Sequence, residues 1–156
     1  MMKFNSDGAV AKTTSKGAAG VICRDGDGLF LGASAIVVDD QTDPPTLEAM
    51  GCREALALAT DLHIQRLKVA SDCLTVVNEI IEGSIRGAHG LVISDIKKLQ
   101  TEFQDCRFAF ERREANGEAH RMAKMATTLV AGRYVWFSTP LHIYVFLLFI
   151  QVNKVG

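Results

Sequence analysis

Neither sign of charge predominates in this sequence, where 17 Lys and Arg face 18 Asp and Glu over 156 residues for a formal net charge of −1. A chain this close to neutrality has no overall attraction for nucleic acid or an anionic membrane, so a polyanionic partner must be held by a local site. An apolar run long enough to cross a bilayer is also lacking. The stretch from Leu141 to Ile150 is interrupted by His142 and falls well short of the roughly 20 apolar residues a spanning helix needs. This argues against membrane anchoring. The chain opens without an apolar leader: Lys3 and Asn5 precede any apolar run, which predicts no secretory signal. Strand-like sequence begins so abruptly that a piece of a longer protein is expected. The four cysteines, at positions 23, 52, 73 and 106, show no CxxC spacing. They predict buried thiols in a reducing compartment, cytoplasm or nucleus, rather than a disulfide framework or a metal–thiolate site. There is no internal repeat, no long basic helix and no aromatic-rich platform, so sequence-specific nucleic-acid recognition is not expected.

What is present is an alternation of strands and helices. "KFNSDGAV" (Lys3 to Val10) has a period of two and reads as a strand. "GAAGVICRDGDGLFLGASAIVV" reads as two strands, Ala18 to Cys23 and Leu29 to Val38, joined by Asp-Gly pairs that favour a tight hairpin. The same loop superficially resembles a calcium loop but lacks the further spaced oxygen ligands and the closing Glu. Thr46 to Leu62 is helical, with Cys52, Ala55, Leu56, Ala59 and Leu62 on one stripe. "RLKVAS" is a short strand, and Asp72 opens a helix with apolar positions Val76, Val77, Ile80 and Ile81. After the glycine-rich "EGSIRGAHG", a helix places Val92, Ile96, Leu99 and Phe103 on one face. "CRFAFER" alternates as a strand, with Phe108 and Phe110 on one side. A last helix from about Asn116 to Ala131 buries Ala119, Met122, Ala123, Ala126 and Val130, and Gly132 stops it. Three strands followed by alternating helices and strands predict an α/β fold with a mixed sheet, an antiparallel hairpin unit joined to parallel strands, and helices on its faces. The domain is expected over residues 1–132, with 133–156 as an apolar tail.

Three acids stand where packing alone would not put them. Asp7 lies inside the first strand, a position this residue type avoids. Glu48 stands in the first turn of the first helix on its apolar stripe, and Asp72 sits where the fourth strand ends. If the first and fourth strands are neighbours, Asp7 and Asp72 lie side by side with Glu48 above them. Two like charges about 4 Å apart repel by roughly 4 kcal/mol at an effective dielectric of 20, so such a cluster calls for a proton or a bound cation. Oxygen-only donors suit Mg²⁺, or Mn²⁺ as its relative. Each acid also has a plainer role open to it: Asp72 as a helix N-cap, Glu48 as a partner of the helix dipole, Asp7 as the start of a turn with Gly8.

The combination is more specific than its parts. "NSDGA" in the first strand, "LEAMGCREALALA" in the next helix, "VASDCLTVV" at a strand-to-helix junction and "RREANGEAHRMAK" in the last helix occur in an order that resembles the ribonuclease H type 1 superfamily. The closest likeness is to the reverse-transcriptase-like, ribonuclease-H-like domains abundant in plants, over about Lys3 to Gly132. The resemblance implies a five-stranded mixed sheet flanked by helices and an endonuclease that hydrolyses the RNA strand of RNA–DNA hybrids with two divalent metals. It implies Asp7, Glu48 and Asp72 as catalytic, metal-binding carboxylates. The fourth family position, usually Asp in the pattern "N..AD.LAK", is His120 here. Neutral imidazole is a poor Mg²⁺ ligand and more acceptable to softer ions, so the second ion is expected to be weakened.

Nucleic-acid contacts are expected from Gly8, Asn116, Arg112, Arg113, Arg121 and Lys124, with the hybrid read by shape and 2′-hydroxyl contacts. A monomer is expected. Two alternatives follow from His120 and the neutral charge: a nucleic-acid-binding domain of weakened or lost catalysis, and an interaction module whose acids are caps and turns.

Overall fold

The computed structural model describes residues 1–83, 87 and 89–137. The apolar stretch from Leu141 to Ile150 and four residues of the glycine-rich connection lie outside the described residues. Among those described, no helix is long and apolar enough to cross a membrane.

Strands β1 (Met2–Ala11), β2 (Lys16–Arg24) and β3 (Phe30–Asp39) form an antiparallel meander. The Asp-Gly turn between β2 and β3 closes as its letters predict: Gly28 has φ 84°, and Asp25 Oδ1 accepts from the backbone N–H groups of Asp27 and Leu29 at 2.9 and 2.8 Å. Helix α1 (Pro44–Asp61) follows, then β4 (Arg66–Ser71), α2 (Leu74–Glu82), α3 (Gly90–Gln100), β5 (Asp105–Phe110) and α4 (Gly117–Ala126). The sheet has six strands rather than five, in the order β5-β4-β1-β2-β3-β6. The sixth, β6 (Gly132–Phe137), pairs antiparallel with β3. Gly132, expected to stop the last helix, instead begins this strand, the helix having already ended at Ala126. Arg133 of this strand donates to Glu54 Oε1 at 2.7 Å and to Asp61 Oδ2 at 2.6 Å, tying β6 to α1.

Parallel pairing of β1 with β4 and of β4 with β5 confirms the mixed sheet. Helices α1, α2 and α3 bury Phe4, Val21, Leu67, Val69 and Phe108 on one face, and α4 covers Ala18, Ile22, Ala33, Ala35 and Val37 on the other. β1 and β2 are thus covered from both sides, which the small residues of "KGAAG" make possible. At Gly20 an added Cβ would lie 2.7 Å from the backbone nitrogen of Ala123 in α4. At Gly8 it would lie 3.0 Å from backbone and side-chain atoms of Leu47 in α1.

Several element ends differ from the sequence reading for identifiable reasons. α1 begins at Pro44, two residues before Thr46, because Asp43 caps it by accepting from the Thr46 backbone N–H at 3.2 Å and from its hydroxyl at 2.5 Å. Glu48 therefore stands past the first turn, and a dipole role for it weakens. α4 stops at Ala126 rather than Ala131: the hydroxyls of Thr127 and Thr128 take the carbonyls of Lys124 and Met125, both at 2.7 Å, a local competition with helix bonding. Val130, expected to be buried, is then 75% exposed, and the apolar side chains of Phe110 and Ile81 are exposed too.

Because the obstacle at Gly20 is backbone, Gly20→Val is expected to cost about 2–3 kcal/mol of stability. Gly26→Ala, which meets nothing within 4 Å, should stay within about 0.5 kcal/mol of the unaltered protein. Urea melts of the two variants check this.

Candidate metal and nucleic-acid site

The parallel register of β1 and β4 ends at Ser6 opposite Ser71. The next residue of each strand is an acid, Asp7 and Asp72, so register alone brings the two together. Asp7 remains within β1, opposite Gly20 of β2, and is 1% exposed; it does not start a turn. Asp72 does not cap α2 either. That position belongs to Cys73, whose backbone N–H is taken by Ser71 Oγ at 3.2 Å. The close approach of α1 at Gly8 delivers Glu48 to the same place. One oxygen from each of Asp7, Glu48 and Asp72 lies within 4.8 Å of the others.

The electrostatics are those of crowded acids. Burial and the charge of Asp7 push the Glu48 carboxyl up to about 9, a hydrogen bond with Asp7 and the charge of Asp72 add to the rise, and the Gly8 backbone N–H opposes it. Glu48 Oε2 is buried with no hydrogen-bonding partner. Asp72 is raised by burial and by Asp7, against the pull of Arg113, Asn116 and His120. A buried carboxylate oxygen with nothing to accept from, in an all-oxygen group of three acids, fits a hard divalent cation.

His120, in the first turns of α4, reaches Asp7: its Nδ1 lies 2.7 Å from Asp7 Oδ2. Asn116, expected at the nucleic acid, is buried. It occupies the N-cap position of α4 without capping it. Its side chain instead donates to the Ser6 carbonyl and accepts from Asn5 Nδ2, both at 2.9 Å, pinning the start of α4 to β1. The position could be anticipated from the motif, but this clamp has no local signal in the sequence. Arg113 Nε sits 3.7 Å from Asp72 Oδ2, with a largely exposed side chain.

Two adjoining depressions flank the acids. One, of about 340 Å³, is lined by Pro44, Pro45, Glu48, Asp72, Cys73 and Arg113. The other, of about 410 Å³, includes Gly8, Glu48, Arg113, His120 and Lys124. Of the basic residues singled out in the sequence, Arg113 and Lys124 line this groove. Arg112 is exposed outside the lining, and Arg121 lies outside it with its Nε buried and unpartnered. Cys73, at the rim beside Asp72, carried no functional signal in the sequence.

Residues 5–126 match the reverse-transcriptase-like family, and the chain belongs to that family. Solved structures share the fold at low identity. Ribonuclease H1 from the halophilic archaeon Halobacterium salinarum NRC-1 is 19% identical with a TM-score of 0.73, over 81% of this chain and 96% of that one. The N-terminal ribonuclease H domain of a Mycobacterium tuberculosis protein is 18% identical with a TM-score of 0.73, over 81% and 93%. LC11 ribonuclease H1, from compost and solved with an RNA/DNA hybrid, is 18% identical with a TM-score of 0.71, over 82% and 97%. No curated protein matches the chain.

A carboxyl that titrates near 9 when folded, against an ordinary value of 4.5, holds its proton more tightly in the folded than in the unfolded protein. Its contribution to stability is complete below about pH 4.5 and is lost as pH rises toward 9. In chelator the melting temperature is expected to fall across that window, and Glu48→Gln should remove that part of the slope. Millimolar Mg²⁺ or Mn²⁺ should raise the melting temperature, most at the alkaline end where the ion finds the acids ionised, and Asp7→Asn should abolish the rise. A melting temperature indifferent to both ions speaks against a cation site.

Proposed function

We propose that the protein is a divalent-metal-dependent endonuclease that hydrolyses the RNA strand of RNA–DNA hybrids. The observation that carries this is the convergence of Asp7, Glu48 and Asp72 around a buried, unpartnered Glu48 oxygen, in a fold shared with a ribonuclease H1 solved on an RNA/DNA hybrid. Asp7, Glu48 and Asp72 would hold Mg²⁺ or Mn²⁺. When bound, the ion supplies Lewis acidity for the scissile phosphate and makes water a better nucleophile at neutral pH.

The chain's own residues supply the rest. The strand register fixes Asp7 beside Asp72, the α1 contact at Gly8 fixes Glu48, and Asn116 anchors the helix that brings His120 to Asp7. His120 is then a positioning residue, holding the Asp7 carboxylate through its Nδ1. Arg113 and Lys124, in the groove lining, are placed to meet backbone phosphates. With so few cations at the groove and a neutral chain, hybrid recognition rests on shape and 2′-hydroxyl contacts.

A second reading, a hybrid-binding domain without cleavage, is favoured by one observation: the position where the family usually carries a fourth acid holds a histidine already bonded to Asp7. A labelled hybrid incubated with Mg²⁺, Mn²⁺ or chelator separates the two. Cleavage of the RNA strand is expected with either ion and not with chelator, and Asp72→Asn should slow it at least about 100-fold, or about 2.7 kcal/mol of barrier. A hybrid that is bound and left intact in both ions assigns the second reading.

Hybrid affinity measured by anisotropy should fall with salt at a shallow slope of about 2 to 4. Lys124→Ala and Arg113→Ala should each lower that slope by about 1. A slope near that of a strongly basic binder would overturn this account of the surface.

A further inference from the structure

We infer that His120 makes the carboxylate cluster a site for one divalent ion rather than two. The inference rests on the reading of Asp7, Glu48 and Asp72 as cation ligands and adds the number of ions they hold. Two divalent ions at the roughly 3.5–4 Å spacing of a two-metal centre repel each other strongly. Holding both therefore takes enough carboxylate charge to offset that repulsion.

Asp7 joins the other two acids: the β1–β4 register sets it beside Asp72, and the close approach of α1 at Gly8 brings Glu48 to it. It lies 1% exposed between the two helix-covered faces of the sheet. Of its two oxygens, Oδ2 is engaged by His120 Nδ1 at 2.7 Å. A carboxylate only accepts, so this ring nitrogen carries the proton and donates. While Nδ1 donates it cannot ligate a metal, and the ring's other nitrogen offers only an uncharged donor that hard divalent ions take poorly.

On the α4 side of Asp7, where a second ion would need another acid, the chain therefore presents an N–H donor. The other charged groups lining that groove, apart from Glu48 itself, are Arg113 and Lys124, both cationic. Among the described residues no second group of three or more His, Cys, Asp or Glu side chains gathers closely enough to hold an ion. Three carboxylates leave a negative site around one divalent ion and a positive one around two. The ring adds no negative charge to correct that.

Counting Mn²⁺ tests the inference without reference to cleavage. The full chain is dialysed against Mn²⁺ without nucleic acid, and free ion is read by electron paramagnetic resonance. The unaltered protein is expected to bind one Mn²⁺ per chain at saturation, His120→Asn one, and His120→Asp two, with the spectrum of a coupled pair. Thermal melts establish that the variants are folded. Two ions bound by the unaltered protein overturn the one-ion inference and leave the cation site standing. A folded His120→Asp that stays at one ion overturns the assignment of the limit to His120. No Mn²⁺ bound by the unaltered protein removes the cation site itself, and the inference with it. The count on the unaltered chain decides even if His120→Asp does not fold.

Discussion

A carboxylate buried in a central strand has to be answered by something, and the rest of this structure is arranged around that need. Asp7 lies in β1 opposite Gly20 of β2, one residue past the end of the pairing with β4, and is almost wholly buried. Burying a charge without partners is costly enough that the group normally neutralises instead. Here the cost is shared. His120 supplies a donor to one oxygen, and Glu48 is pushed toward its protonated form by burial and by Asp7. Arg113 and Asn116 moderate Asp72. The crowded acids are thus answered within the protein itself, by a donor, a retained proton and nearby cationic and amide groups.

Backbone contacts set the geometry more than the acids do. Gly8 and Gly20 lie on neighbouring strands, and each admits a helix from a different face. If either helix stood off by a side chain, Glu48 or His120 would withdraw from Asp7. Asn116 adds a third constraint by bonding two successive residues of β1, Asn5 and Ser6, from the start of α4. The order Ser6, Asp7, Gly8 thus carries, in three consecutive residues, a strand pairing, a buried acid and a helix contact.

Much of this was legible in the sequence. The Asp-Gly hairpin, the β4 segment "RLKVAS" and the acids at strand and helix positions follow from local period and residue type, and the motif order pointed to the family. The sixth strand was not legible. "GRYVWF" is short, its pairing with β3 is remote in sequence, and its anchor, Arg133 on Glu54 and Asp61, joins residues more than seventy apart. Helix ends were misjudged where side chains compete with the backbone, as Asp43 does at α1 and Thr127 and Thr128 do at α4. The Asp7–His120 contact was hidden for the same reason. The sequence shows a histidine in place of an acid, but only the packing of α4 at Gly20 shows which atom it reaches.

The bond between His120 and Asp7 joins residues 113 positions apart, and that separation bears on how the cluster comes into being. Closing so long a loop is entropically costly until intervening contacts have shortened it, and contacts of this range are made late in folding. The hairpin of β2 and β3 can form from neighbouring residues alone. The carboxylate cluster cannot, because its donors come from β1, α1 and the end of β4. A chain still being synthesised therefore holds no complete cluster until β4 has paired with β1, and the cluster lacks its histidine until α4 docks.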